Sequence, residues 1–184
     1  RIFSYPSPSE VDRQASALIL ADYEADDPEA LVDLLLSATP RPYAILLPIL
    51  ENHTDAAAAI LRSKLDFQQP KLYAPASALL LDLIGDAEPM RESLSATEVP
   101  APYPDLCTYL EDRVSRVVAN PEKLSAELNG QPNGPYRAAL VRILGGMPAE
   151  KLSRKQHAQL LAKFAELFQS DSESAVHSAA EWAL

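Results

Sequence analysis

Residues 21–36 read A-D-Y-E-A-D-D-P-E-A-L-V-D-L-L-L and contain the end of one predicted helix and the start of the next. The first helix is expected to end at Tyr23–Glu24, and Ala25–Asp26 forms a turn. Asp27–Glu29 then supplies an N-cap, a proline at the first helical position and an acid in the first turn, which together are typical of a helix N-terminus. The stretch therefore predicts two helices joined by a short turn.

The same kind of helix start returns later in the chain. Asn120–Glu122 reads N-P-E, and the leucines that follow it, Leu124 and Leu128, lie 93 residues beyond Leu31 and Leu35. Elsewhere the apolar residues recur with the period of amphipathic helices and not with the alternation of strands. We therefore predict an all-α chain.

Predicted pairs of helices begin near residues 7, 39, 72, 104, 135 and 172, at intervals of 31 to 37 residues. A period in this range, with two helices per unit, is typical of a helical solenoid in which each hairpin packs on its neighbours. Because the tetratricopeptide and ankyrin consensus patterns are absent, we predict a HEAT-like α-solenoid of about five to six hairpins.

Glycine, proline and capping residues predict where individual helices begin and end. Gly85 is expected to end one helix in the left-handed conformation, and Pro48 is expected to kink another. Ser153–Gln156 is a capping-box pattern that predicts the start of a long helix. Residues 97–104, T-E-V-P-A-P-Y-P, contain three prolines and predict an extended connection. We interpret residues 1–184 as one HEAT-like repeat domain with a candidate sub-boundary at 97–104.

The charge balance disfavours partners that are polyanions. The chain has 26 acidic and 16 basic residues and a formal net charge of −10, whereas binding to nucleic acid or an anionic membrane needs a surplus of cations. The acids are not evenly spread, because residues 1–104 carry −9 and residues 105–163 carry +3. The second half therefore has the composition for a local basic surface.

Cysteine and hydropathy patterns favour a cytoplasmic protein. Cys107 is the single cysteine, so an internal disulfide and a thiolate zinc site are excluded. No apolar run approaches the ~20 residues of a membrane helix, and the N-terminus has no signal-peptide pattern. The chain begins with Arg1 and ends with the apolar pair Ala183–Leu184, so we expect it to be a fragment of a larger protein.

No known catalytic, nucleotide-binding or metal-binding motif is present, so we predict no enzyme activity, no cofactor and no small-molecule substrate. Asp22, Glu24 and Asp26 imitate the start of a calcium loop, but the glycine and the final glutamate of that loop are missing. His177 and Glu181 stand one helical turn apart, yet two ligands do not make a metal site. Cys107 lacks the basic neighbours that would activate a thiol.

The acidic turn is the surface that we predict to bind a partner. Six carboxylates fall within residues 22–33, and acids near a helix N-terminus are also what the helix dipole favours. We expect a basic protein or a flanking domain of the same chain to dock there. The predicted contact residues are Tyr23, Asp26 and Asp27.

A second hypothesis assigns function to the cations of the second half. If the hairpins stack in register, these cations would line one groove and read DNA, as in a HEAT-like DNA-binding or glycosylase-type protein. Acids are interleaved with them, which argues instead that most solvate helices or form ion pairs. The nine cations are Arg113, Arg116, Lys123, Arg137, Arg142, Lys151, Arg154, Lys155 and Lys163.

Two stretches carry a family resemblance: residues 21–36 and the H-S-A-A-E-W segment at 177–182. They resemble the HEAT-like helical region of large bacterial proteins that carry a formylglycine-generating-enzyme-like domain, often with a serine/threonine kinase domain. The resemblance implies that this region is non-catalytic and precedes the enzyme-like domain. We therefore predict a protein-interaction, scaffold or spacer module within a multidomain protein.

Overall fold

The computed structural model describes residue 19 and residues 25–95, 106–118, 120–130 and 132–184, and they form helices, turns and loops with no β-strand among them. This confirms the predicted all-α class. Three predicted features lie outside the described residues: the helix before Tyr23 except for residue 19, Tyr23 itself and the proline-rich connection at 97–104.

The helices that precede residue 96 occupy most of that part of the chain. Their bounds are α1 Pro28–Ser37, α2 Pro40–Leu50, a 3₁₀ turn Glu51–His53, α3 Thr54–Ser63, α4 Pro70–Ile84 and α5 Glu88–Ser95.

The remaining helices follow with short connections. Their bounds are α6 Leu106–Val117, α7 Pro121–Asn129, α8 Gly134–Gly145, a 3₁₀ turn Ala149–Lys151, α9 Arg154–Ser170 and α10 Ser174–Ala183.

The structure contains the side-chain caps that the sequence predicts at the N-termini of α1, α7 and α9. The Asp27 carboxylate accepts hydrogen bonds from the backbone N–H groups of residues 29 and 30, at 3.0 and 3.1 Å. Asn120 caps α7 in the same way, and Ser153 and Gln156 form a reciprocal capping box on α9. Each cap satisfies N–H groups that a helix leaves without an internal partner.

Gly85 ends α4 as predicted. Its φ of 73° and ψ of 15° are left-handed, a conformation that costs glycine no steric strain. The backbone N–H groups of Gly85 and Asp86 donate to the carbonyls of Leu81 and Leu80, at 3.0 and 3.3 Å. These bonds reverse the chain and place α5 directly after α4.

The chain passes from α2 to α3 without an intervening loop. Helix α2 continues past Pro48 to Leu50, tightens into the 3₁₀ turn and runs directly into α3. The Thr54 hydroxyl donates to the Glu51 carbonyl at 2.8 Å, and no side-chain cap is present at the start of α3. Because the preceding turn already supplies helical backbone, α3 needs no side-chain cap.

Residues Pro40–Ser63, which span α2, the 3₁₀ turn and α3, form a stretch long and apolar enough by length and composition to cross a membrane. Tyr43, Leu46, Leu50 and Leu61 of this stretch are buried in the core. A buried core helix and a membrane helix share this composition, so the finding is weak evidence for a membrane span.

Four helices form a continuous series that we call the central row: α4, α6, α8 and α10. Each packs against the next, and α4 also contacts α1, α3 and α5. Helix α4 is buried on all sides from Tyr73 to Asp82. The buried apolar side chains form one cluster that extends from Leu31 in α1 to Ala180 in α10.

Small residues allow the central row to pack closely. A methyl group placed on Gly145 would lie 2.7 Å from the Ala183 Cβ and 3.2 Å from the Trp182 ring. Because those distances are shorter than van der Waals contact, only glycine permits α8 and α10 to approach this closely.

Candidate functional site

The structure gives the two described acids of the predicted partner surface different roles. The Asp27 carboxylate caps α1, whereas Asp26 is exposed in the turn before it. Tyr23 lies outside the described residues. The acidic turn therefore keeps one carboxylate, Asp26, that is not engaged in capping.

A histidine holds this turn against the 3₁₀ turn Glu51–His53. His53 Nε2 lies 2.8 Å from the carbonyl oxygen of Ala25, at hydrogen-bond distance. This contact brings Asp26 and the exposed acids Glu51 and Asp55 to the same region of the surface. We call Asp26, Asp27, Glu29, Glu51 and Asp55 the acidic surface.

Three of the nine cations of the second half bind backbone carbonyls near helix C-termini. Arg113 donates to the carbonyl of Ala38, directly after α1, at 2.7 Å and to that of Leu35, in the last turn of α1, at 3.0 Å. Lys123 donates to the carbonyls of Leu81 and Asp82 in the last turn of α4, and Lys151 to that of Val118 after α6, at 3.0 Å. Each cation satisfies carbonyls that the helix leaves without a partner and complements the helix dipole.

Four more of these cations form ion pairs. The pairs are Arg116–Asp112, Arg137–Asp171, Arg142–Glu111 and Lys163–Glu166, with N–O distances from 2.5 to 3.0 Å. Of the nine, only Arg154 and Lys155 are exposed with no hydrogen bond or ion pair to any described residue. The nine cations therefore form no continuous row of side chains without partners among the described residues.

A buried polar junction between α2 and α4 was not predicted from the sequence. The Tyr43 hydroxyl donates to the Asp82 carboxylate at 2.9 Å, and both side chains are at most 5% exposed. The Asp82 Oδ1 lies 3.4 Å from the backbone nitrogen of Asn120. The signal was a single acid within the apolar run L-L-L-D-L-I at 79–84, since an isolated acid there must find buried partners.

The electrostatics of this junction favour a neutral tyrosine. Burial, and then the neighbouring Asp82 carboxylate, raise the pKa of Tyr43 well above its ordinary value, while Arg113 acts in the opposite direction. The Arg113 guanidinium lies 6.0 Å from the Tyr43 ring, and burial lowers its pKa. The junction has no access to solvent, so it is suited to joining helices and not to binding a ligand.

A groove with a volume of about 600 Å³ lies between α7 and α9. Its floor contains the buried side chains of Leu128 and Leu160. Its lining residues from α7 are Glu122, Ser125, Ala126, Leu128 and Asn129, and from α9 they are Gln156, Gln159, Leu160, Ala162, Lys163 and Glu166. Gln156 Nε2 donates to Glu122 Oε1 at 3.2 Å and bridges the two helices at one end.

Histidine and cysteine make structural contacts. His177 Nε2 is hydrogen-bonded to the carbonyl of Asp171, and its ring packs edge-on to Phe168. The half-buried Cys107 thiol points to the Ser93 carbonyl at 3.7 Å, and burial raises its pKa. No group of three or more potential metal ligands occurs within the described part of the chain.

Trp182, in the segment that carries the family resemblance, is 63% exposed. Its ring passes over Gly145 and Gly146 at the end of α8, while Ala179 and Ala180 of the same helix are buried. The alanines of this segment therefore pack in the core, and its tryptophan lies at the surface.

Comparisons with known proteins identify no relative of this chain. No family model matches it, and neither the curated proteins nor the solved structures yield a match.

Proposed function

We propose that the chain is a HEAT-like stack of helical hairpins that acts as a non-catalytic protein-interaction or spacer module within a larger protein. The observation that carries this proposal is the central row, in which every second helix packs on the next. A stack of similar two-helix units produces this order of contacts, because each unit buries its apolar face on its neighbours.

The helix positions support a regular repeat in a register different from the one predicted. Helices α3, α5, α7 and α9 begin at residues 54, 88, 121 and 154, so their starts lie 34, 33 and 33 residues apart. Helix α7 packs on α8, and α9 packs on α10. The predicted hairpin starts near 104 and 135 would instead pair α6 with α7 and α8 with α9.

The use of polar side chains supports a non-catalytic role. The buried carboxylate and tyrosine join helices, and seven of the nine cations in the second half bind carbonyls or acids. A catalytic site needs reactive groups that converge on a cavity open to substrate. The groove between α7 and α9 is lined by amides, acids, one lysine and Ser125, and the Ser125 hydroxyl donates to the backbone carbonyl of Pro121 at 3.1 Å and not to a base.

The acidic surface is the region that we propose for a basic partner in this role. Its acids are exposed, and residues 1–104 carry most of the negative charge of the chain. Charge complementarity of this kind speeds association and selects the partner more than it adds affinity. The family resemblance agrees with such a role, because it implies flanking domains that this region would hold.

Charge reversal tests this proposal. The full chain would be immobilised and used to capture proteins from a bacterial extract, beside the variant D26K/E51K/D55K and the matched control E92K/E150K/E181K. We expect the first variant to lose the basic protein that the wild type and the control capture. All six positions are exposed, so neither variant is expected to unfold, and circular dichroism would check this. Equal capture by the two variants, or none by the wild type, would contradict the proposal.

The DNA-binding alternative makes a different prediction. Binding through phosphate contacts weakens steeply as salt rises, because counterions are released. Since only Arg154 and Lys155 of the nine lack a partner in the part of the chain that the structure describes, we expect no measurable binding of duplex DNA at about 50 mM salt. Salt-dependent binding in fluorescence anisotropy, lost in R154A/K155A, would favour the alternative.

A further inference from the structure

We propose that the groove between α7 and α9 binds an extended peptide segment of a protein partner, one that carries an apolar and a basic side chain. This inference rests on the proposed interaction function and names a second surface for it, separate from the acidic surface. The argument follows from the groove's floor, its unpaired amides and its charges.

The floor of the groove is apolar and its walls are small. Leu128 and Leu160 are buried beneath it, and the exposed alanines Ala126 and Ala162 stand on opposite sides. Small wall residues leave room for a side chain between the helices. An apolar side chain of the peptide that lies between these alanines would cover their exposed methyl groups above the buried leucines, and removing apolar surface from water is the main source of affinity in such contacts.

Two side-chain amides face this groove without partners. Asn129 and Gln159 are exposed and make no hydrogen bond to any described residue, while Gln156 is already engaged by Glu122 and by the backbone of Ser153. A primary amide offers both a donor and an acceptor, which is the pattern of a peptide main chain. Asn129 and Gln159 are therefore suited to bind an extended backbone irrespective of its sequence.

The length of the groove matches a short extended segment. From Glu122 to Asn129, α7 rises about 10 Å at 1.5 Å per residue. An extended strand covers that distance with about three residues at 3.3 Å each. The exposed residues along both walls leave the groove open at the surface, so a segment of a longer chain can enter without threading its ends.

The charges of the lining favour a basic side chain. Glu122 and Glu166 contribute two carboxylates, against the single ammonium group of Lys163. Lys163 Nζ contacts one oxygen of Glu166 at 3.0 Å, and Gln156 contacts one oxygen of Glu122. Each carboxylate keeps a second oxygen with which an arginine or lysine can pair.

The experiment is a titration of the ¹⁵N-labelled full chain, followed by NMR, with the capped peptide Ac-Ala-Leu-Ala-Arg-Ala-NH₂. We expect shifts confined to α7 and α9, including the side-chain amides of Asn129 and Gln159. The matched peptide with glutamate in place of arginine should bind about fivefold more weakly, as expected for a surface ion pair.

Variants separate the groove from other surfaces. N129A/Q159A should weaken binding of the arginine peptide about tenfold, since two hydrogen bonds are lost. The control Q169A removes an exposed amide of α9 that does not line the groove, and it should bind like the wild type.

Unchanged affinity in N129A/Q159A, or no shifts at peptide concentrations of about 5 mM, would overturn the groove inference. Shifts at the acidic surface instead would overturn it while supporting the proposed interaction function. If the peptide binds in the groove but the charge-reversal capture fails, the groove inference is supported and the proposed role of the acidic surface is contradicted.

Discussion

The central row and the pair of helices α7 and α9 show two ways in which helices of one chain lie beside each other. In the central row, residues such as Ala138, Ala139, Ala179 and Ala180 are buried, and Gly145 lets α8 and α10 approach closely. Between α7 and α9 a groove of about 600 Å³ remains, bridged at one end by a hydrogen bond between Gln156 and Glu122. The difference shows that one pair of neighbouring helices is packed closely along its length, whereas another leaves an open groove at the surface.

The contrast between the closely packed central row and the open groove follows from the free-energy cost of unfilled space between side chains. A gap inside a core loses dispersion contacts and cannot be filled by water, so the central row must be closely packed. A gap at the surface is filled by water at little cost when its walls are polar. The open groove between α7 and α9 therefore costs the folded protein little stability, whereas a gap in the central row would cost much more.

The largest effect is expected from shortening a leucine of the central row. Leu140 in α8 is fully buried, so Leu140→Ala should lower the free energy of unfolding by about 3–5 kcal/mol. Leu160→Ala removes the same atoms beneath the groove, where the space opens to solvent and no closed cavity results, and should cost about 2–3 kcal/mol, at the low end of the range for this substitution. Urea denaturation of both variants measures the contrast, and equal losses would contradict it.

The next effect concerns the junction of Tyr43 and Asp82. Tyr43→Phe removes the hydroxyl that donates to a buried carboxylate and should cost about 1–3 kcal/mol, since the carboxylate loses a partner in a dry site. Tyr109→Phe is the matched control, because that tyrosine is 42% exposed and its hydroxyl has no described hydrogen bond. Thermal unfolding followed by circular dichroism would distinguish them, and similar melting temperatures would refute the role of the junction.

Alkaline pH should weaken the core through its buried tyrosines. Burial raises the pKa values of Tyr43, Tyr73 and Tyr136 above the ordinary value, so the folded chain holds these protons more tightly than the unfolded chain. Their contribution to stability is complete below about pH 10 and is lost as the pH rises above it.

The measurement is urea denaturation at several pH values, with tyrosinate absorbance recorded in parallel. The loss should reach at most about 1.4 kcal/mol per pH unit for each tyrosine. Tyr43→Phe should flatten the dependence above pH 10, whereas Tyr109→Phe should leave it as in the wild type. A stability that stays constant up to pH 11 would exclude this coupling.

The smallest effect is expected at the ion pair that joins α6 and α8. Arg142 contacts both carboxylate oxygens of Glu111, but the arginine side chain is 42% exposed. Glu111→Gln should therefore cost at most about 1 kcal/mol, and less in 0.5 M salt, because solvent and ions screen exposed charges. Asp112→Asn, which removes the more exposed pair with Arg116, is the control and should cost less still. A loss above 2 kcal/mol would place this pair among the principal contacts of the central row.

Local features were predictable because they depend on neighbours in the chain. The capping carboxylate of Asp27, the capping box at Ser153 and the left-handed Gly85 each act within a few residues of their own position. The pairing of helices was less predictable. Every amphipathic helix has an apolar stripe that fits either the helix before it or the helix after it, so the periodic pattern leaves the hairpin register undetermined.

The surfaces considered for binding were also only partly predictable from the sequence. Asp26 was predicted as a contact and is exposed, but the sequence contained no signal that His53 would bring Glu51 and Asp55 beside it. The cations of the second half suggested a basic groove, yet Arg113 reaches carbonyls that lie 75 residues away in the chain. Side chains of this length choose partners across the fold, and their partners cannot be read from spacing alone.

By itself, the sequence of this protein determined that it is helical, where most of the described helices begin and end, and that its charge is acidic. Those properties depend on backbone conformation and composition, which act locally. Only the tertiary structure decided which helices form the central row, which cations are paired, and that a groove remains between α7 and α9. Those outcomes depend on packing between residues far apart in the chain, where small differences in side-chain volume select one arrangement among several.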